Sequence, residues 1–160
     1  MRIRPAVEGD RSAVLAIVAP VLRAGETYAM PRDLDDEQVL AYWFSPAHHV
    51  FVAEDNNALL GTYYLKPNQL GPGAHVANCG YMTAAAAQGR GVARAMGTHS
   101  IEQAGARGFR AIQFNHVVST NQRAVALWQS LGFAIVGTLP KAFNHPVHGF
   151  VDSYVMFRTL

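Results

Sequence analysis

The chain has 160 residues, the length of one domain able to bury about two-thirds of its unfolded surface, so a single domain over 1–160 is expected. Half of the residues are hydrophobic and 15% are charged, which excludes a disordered chain. The net charge of +2, with the basic residues scattered along the chain, gives a nucleic-acid groove no electrostatic support.

Cys79 is the one cysteine, so no internal disulfide framework exists, and no apolar run reaches membrane-spanning length. Residues 1–5 lack the apolar core of a signal peptide. A soluble cytoplasmic protein is expected, with neither nucleic acid nor membrane as partner.

A short strand is expected over 2–5. Asp10 is then expected to cap a helix whose apolar positions Val14, Leu15, Ile17, Val18 and Leu22 recur at helical spacing. A loop covers 24–34. Asp35 with Gln38 three residues on forms a capping-box pattern for a second helix, which ends near Phe44 and is stopped by Pro46. Residues 50–54 and 59–65 are expected strands. Asp55-Asn56-Asn57 between them tolerate left-handed conformations, so the pair reads as a hairpin.

A loop over 67–73 leads to a strand from about His75 to Thr83. The next helix is expected from Gly91 to about Arg107, with Val92, Ala95, Met96 and Ala104 available for a buried face. A strand over 111–118 follows, then a helix over 121–130 with Ala124, Val125, Leu127, Trp128 and Leu131 as candidate packing residues. Two last strands, 133–139 and 150–158, are joined by a loop over 140–149. The order β-α-α-β-β-β-α-β-α-β-β predicts one mixed α/β (α+β) domain without repeats or linkers.

The richest stretch runs from Cys79 through Gly80-Tyr81-Met82-Thr83 and four alanines to Gln88-Gly89-Arg90-Gly91-Val92-Ala93. The small residues Gly89, Gly91 and Ala93 let a ligand approach the backbone and leave amides free. At a helix N-terminus those amides and the positive end of the dipole form an anion site, suited to a phosphate or pyrophosphate. A dinucleotide fingerprint is excluded because Arg94 stands where its third glycine belongs, and no Gly-Lys-Ser/Thr completes a Walker loop.

What fits is Gln88-x-x-Gly91-x-Ala93, which resembles the Q/R-x-x-G-x-G/A loop of the GNAT N-acetyltransferase superfamily. Two further stretches carry the same resemblance in the same order, so that it covers nearly the whole chain. Residues 53–61 look like the strand–turn–strand entry of that fold. Asn121-x-x-Ala124-x-x-Leu127-Trp128-x-x-Leu131-Gly132-Phe133 is similar to its N-x-x-A-x-x-L-Y-x-x-x-G-F segment.

The resemblance implies a single GNAT-like domain with a central, mostly antiparallel, splayed sheet flanked by helices. It implies acetyl-CoA as co-substrate and no metal. The pyrophosphate loop would be Gln88, Gly89, Arg90, Gly91, Val92 and Ala93, with Tyr81, Met82, Thr83, Asn121 and Trp128 as further cofactor contacts. The strand ending near Thr83 would splay from strand 111–118 and pair with pantetheine as with another strand. A backbone N–H near Tyr81 or Met82 would polarise the thioester carbonyl, and an amine would attack it directly in a ternary complex.

One departure stands out. Trp128 occupies a position where the superfamily often has a tyrosine that protonates the thiolate. An indole donates only through its N–H and is no proton-transfer acid, so Trp128 reads as a packing aromatic.

On the acceptor side, Asn78-Cys79-Gly80-Tyr81-Met82, Gln113-Phe114-Asn115 and Val117-Val118-Ser119-Thr120-Asn121 resemble the yeast azetidine-2-carboxylate acetyltransferases. That likeness implies that Asn78 and Asn115 hold an amino-acid substrate and the reacting carbonyl, while Asn121 supports CoA. Glu26, in the loop that borders the acceptor pocket in this superfamily, is the candidate carboxylate; a solvated loop acid is the equal alternative. His116, one residue from Asn115 on a strand, is expected to face the other side of the sheet. The polar and aromatic loop 141–148 is placed to close over the acceptor. Cys79 reads as a small buried strand residue rather than a nucleophile.

The function expected is an N-acetyltransferase acting on a small-molecule amine, an amino acid included. Protein-residue N-acetylation and a non-catalytic acyl-CoA sensor are the alternatives. Homodimers are frequent in the superfamily, though no residue of this chain specifies one.

Overall fold

Seven strands and four α-helices make up the fold in the computed structural model, which describes residues 1–160. In chain order they are β1 (Arg2–Pro5), α1 (Arg11–Ala24), α2 (Asp36–Trp43), β2 (His49–Asp55), β3 (Ala58–Pro67) and β4 (Val76–Thr83). They continue with α3 (Val92–Ala106), β5 (Ala111–Val118), α4 (Gln122–Ser130), β6 (Ala134–His145) and β7 (Gly149–Thr159). The strands form one open sheet in the order β1-β2-β3-β4-β5-β7-β6, antiparallel everywhere except between β4 and β5.

Local chemistry explains most of these boundaries. The Asp35 carboxylate accepts from the Gln38 amide at 2.8 Å and the Gln38 side chain accepts from the Asp35 amide at 3.0 Å, which closes the capping box of α2. Asn56 and Asn57 turn the β2–β3 hairpin with φ of 49° and 63°, the left-handed pair that a two-residue hairpin needs.

Asp10 behaves otherwise than expected. It stands at the N-cap of α1, but its own backbone is already helical and its side chain caps nothing there. The carboxylate turns back to accept from the Val7 amide at 2.8 Å and from the Arg4 guanidinium at 2.7 and 3.0 Å. Arg4, which also reaches Glu54 at 2.8 Å, holds the Asp10 carboxyl below its ordinary value of 3.8.

A carboxyl with a depressed folded-state pKa stabilises the protein above its unfolded value and loses that stabilisation as pH falls through the folded one. Asp10→Asn should therefore destabilise the fold by about 1.5–3 kcal/mol at pH 7 and by much less near pH 2, because hydrogen bonds to charged groups have that size. Urea midpoints at the two pH values check this.

Two apolar clusters cover the sheet. One carries Met96, Val92 and Ala104 of α3 with Trp128 of α4, against Tyr63, Ile112, Phe114 and Met156. The other packs Val14, Val18 and Leu22 of α1 and Trp43 of α2 on Val52, Tyr64 and Met82. The indole N–H of the fully buried Trp43 donates to Thr62 Oγ1 at 3.0 Å, and that hydroxyl donates to the Phe51 carbonyl at 2.8 Å. Gly97 lets α3 and α4 touch: a Cβ there would stand 2.7 Å from Leu131 Cδ1 and 3.0 Å from Trp128 Cζ3.

The C-terminal hairpin corrects the expected loop over 140–149. Phe143, Asn144 and His145 pair with Val151, Phe150 and Gly149, so β6 runs on to His145 and only a short turn separates it from β7. A register shift between Leu139 and Phe143 absorbs Pro140, and Lys141 takes φ 52° with its amide held by the Asp152 carboxylate at 2.9 Å.

Strands β4 and β5 set up everything that follows. They register only at Val76–Ala111 and Ala77–Ile112, then part. Where the ladder would continue, the Asn78 side-chain amide donates to the Gln113 carbonyl at 2.9 Å.

Candidate active site

The parted strands open into a cavity of about 710 Å³ that also reaches the start of α3, the start of α4 and the loop between α1 and α2. Its wall contains no aspartate, glutamate or lysine; the guanidiniums of Arg94 and Arg123 are its ionised groups at neutral pH.

At one end lies the glycine loop. Gly89 and Gly91 have φ of 77° and 78°, a conformation that side chains with a Cβ resist, and beyond the adjoining residues nothing lies within 4 Å of where either Cβ would be. The first intrahelical bond of α3 runs from the Ala95 amide to the Gly91 carbonyl. The amides of Gly89, Gly91, Val92, Ala93 and Arg94 donate to no other group of the protein. Free amides at a helix start, on a wall that also carries Arg94 and Arg123, suit a pyrophosphate.

In the middle, the exposed edge of β4 supplies backbone groups. Asn68 donates to Val76 at 2.8 Å and Ala84 donates to Leu60 at 2.8 Å, so the even-numbered residues of β4 make the ladder to β3. Cys79, Tyr81 and Thr83 therefore direct their N–H and C=O groups toward the gap. This selects Tyr81 over Met82 as the amide that faces the cavity. Beside it the Trp128 ring lies 4.7 Å from that of Tyr81 and 4.8 Å from that of Phe114, and it is 7% exposed.

The other end is walled by Thr27, Tyr28, Met30, Tyr42, Tyr64 and Asn78. Tyr28 donates its phenol proton to the Tyr81 carbonyl at 3.0 Å, and the phenol oxygens of Tyr42 and Tyr64 are 3.2 Å apart. Burial raises all three phenols above their usual range, so they stay protonated. Burial also pushes the Cys79 thiol up to about 12, which leaves it without the thiolate a nucleophile needs.

Of the residues singled out from the sequence, Tyr81, Met82, Thr83, Gln88, Gly89, Gly91, Val92, Ala93, Asn121, Trp128, Asn78 and Asn115 share this one wall. Asn121 also caps α4, its carbonyl oxygen accepting from the Ala124 amide at 3.3 Å. Asn115 is tied at both ends of its amide, accepting from Gln113 at 2.9 Å and donating to Asn68 at 2.7 Å.

Two residues lie elsewhere. Arg90 turns outward to Asp55 at 3.5 Å. Glu26 is exposed and off the wall, because Gly25 (φ 67°) ends α1 and the chain then aims Thr27–Met30 inward instead.

Sequence reasoning missed Arg94, Arg123, the three tyrosines and His116. Arg94 carried a legible signal, as the cation following the glycine loop. His116 was expected across the sheet from Asn115, yet both line the cavity. Between the pairs Phe114–Met156 and Val117–Tyr154, Asn115 and His116 together oppose Val155, a bulge that breaks the strand's alternation.

An amide cradle beside a parted sheet edge, opening on a pocket of phenols and amides, has the parts that an acyl-CoA-dependent N-acyltransferase needs. The sequence model of the acetyltransferase (GNAT) family matches residues 18–133, and the chain belongs to that family, whose members take the acetyl group from acetyl-CoA. It is 49% identical to a GCN5-related N-acetyltransferase from Kribbella flavida, covering 99% of this chain and 97% of that one at a TM-score of 0.95. It is 32% identical to N-acetyltransferase aca1 of Schizosaccharomyces pombe over 99 residues, 61% of this chain. The match spans 47% of the length of that curated relative. yncA, a putative acetyltransferase from Salmonella typhimurium solved with acetyl-CoA, shares the fold at a TM-score of 0.88 and 22% identity, over 100% and 94% of the two chains. No helix is long and apolar enough to cross a membrane.

Proposed function

We propose that this protein moves the acetyl group of acetyl-CoA to the amine of a small molecule, an amino acid being the favoured class. The observation that carries the reading is one continuous cavity with the amide cradle at one end and an uncharged, phenol-lined pocket at the other. Acetyl-CoA supplies the activated carbonyl.

The chain's own groups divide the remaining work. The amides of Gly89, Gly91, Val92, Ala93 and Arg94 hold the pyrophosphate, and the open edge of β4 aligns pantetheine as an added strand. The Tyr81 amide stabilises the oxyanion. Asn78 is braced on Gln113 by its amide nitrogen and keeps its carbonyl oxygen for the incoming ammonium. Asn115 and Asn121 border the acceptor and CoA sides. Trp128 and Phe114 exclude water from the reacting centre. The buried free thiol of Cys79 supports a reducing cytoplasm as the compartment, and the exposed apolar Val136 and Leu139 on edge strand β6 support a homodimer.

The test is thiol release from acetyl-CoA with a panel of amines that includes cyclic secondary amino acids. Turnover with a small amine is the expected result. Acetylation of peptides alone would support a protein-residue acetyltransferase. Acetyl-CoA binding without turnover on any acceptor would leave a sensor module.

A further inference from the structure

The reaction needs a group that takes a proton from the acceptor ammonium, and the expected carboxylate, Glu26, is not on the cavity wall. The wall's other ionisable groups do not serve. Its phenols and the Cys79 thiol are held protonated by burial, and the guanidiniums of Arg94 and Arg123 have no lone pair to offer.

His116 differs from all of these. The β5 bulge brings it into the wall, where alternation would have put it across the sheet. Its Nδ1 lies 2.7 Å from the hydroxyl of the fully buried Ser153 on β7, and the Phe143 ring of β6 is 6.2 Å away. Nε2 has no hydrogen-bond partner in the protein.

We propose that His116 is the general base of this site, with Nδ1–H donated to Ser153 Oγ and the Nε2 lone pair offered to the acceptor. The proposal rests on the acetyl-transfer reading above and adds the residue that makes the amine nucleophilic. Nε2 takes one proton from the acceptor ammonium. The neutral nitrogen then attacks the thioester carbonyl, a C–N bond forms, the C–S bond breaks, and the sulfur leaves as thiolate. The second proton lost by that nitrogen goes to the thiolate, and the proton on Nε2 passes to water, so amide, thiol and one proton result.

Burial, with no charged neighbour opposing it, keeps the imidazole below its ordinary value of 6.5, so the base form prevails at pH 7. Accordingly, kcat/KM for the amine should rise with pH through an ionisation below 6.5, on top of the acceptor's own.

The experiment pairs kinetics with nitrogen NMR on the intact protein. His116→Gln should lose roughly 10²-fold in kcat at pH 7, keep its Kd for acetyl-CoA within a few-fold, lose the low-pH ionisation, and recover at pH values where the free amine dominates. In the wild-type protein without substrates, the His116 imidazole should be the Nδ1–H tautomer at pH 7 and titrate below 6.5.

A variant that turns over normally, or an imidazole found as the Nε2–H tautomer, overturns the proposal and leaves acetyl transfer standing. The tautomer measurement decides the matter even if the variant fails to fold. Silence of the wild-type protein across every amine and peptide overturns both readings.

Discussion

Replacing Gly91 with valine is expected to weaken acetyl-CoA binding by at least ~10², read as Kd by calorimetry, while the protein stays folded. Gly91 holds φ 78° at the N-cap of α3 with nothing of the protein near its missing Cβ. A branched side chain costs roughly 1–2 kcal/mol in that conformation. The loop relieves the strain by returning to negative φ, which swings the amides of Gly91 and Val92 out of the cradle. A hydrogen bond to a charged oxygen contributes roughly 1.5–3 kcal/mol, so losing two weakens binding by about 3–6 kcal/mol. The fold itself gives up only the local strain, a fall in Tm of roughly 2–8 °C for a chain of this size. An unaltered Kd would mean that the pyrophosphate lies elsewhere.

Trp128 yields the second large effect, and two substitutions separate its packing from any chemistry. Trp128→Ala should destabilise the protein by about 3–5 kcal/mol in urea unfolding, the range for removing a buried tryptophan. It removes the ring that bridges Tyr81, Phe114 and Phe133 at centroid distances of 4.7, 4.8 and 6.0 Å. It also empties the contact that Gly97 exists to permit between α3 and α4. Trp128→Phe keeps a ring in that place and strands no partner, since the indole N–H bonds to nothing in the protein; turnover should stay within a few-fold. Loss of turnover in the phenylalanine variant, with acetyl-CoA binding intact, would instead assign the indole N–H to the leaving sulfur.

How much of this the sequence disclosed follows a physical line. Features set by neighbours in the chain were legible: the Asp35–Gln38 box, the Asn56-Asn57 turn and the glycine loop at 89–91 each rest on a few consecutive residues. Features set by distant partners were not. Asp10 looks like a helix cap until Arg4 arrives from β1. Residues 141–145 look like loop because polar residues follow Pro140 with no strand alternation; the facing strand, with Asp152 holding the Lys141 amide, makes them strand.

The site divides in the same way. The cradle and the edge of β4 follow from local pattern, whereas the acceptor wall gathers Tyr28 from a loop, Tyr42 from a helix and Tyr64 from a strand. No periodicity links those three. His116 was hidden by one irregularity: alternation counts residues by twos, and a bulge at 115–116 advances the count by one.

The Asn78–Gln113 hydrogen bond has a consequence for affinity. Two half-sheets that meet at only two registered pairs would be free to close and satisfy their own edges. The Asn78 amide occupies the first rung beyond the junction, and the Tyr81–Trp128–Phe114 cluster fills the angle behind it. The aperture is thus propped by the protein itself. Acetyl-CoA meets a preorganised slot, and none of its binding free energy goes to prising a sheet apart.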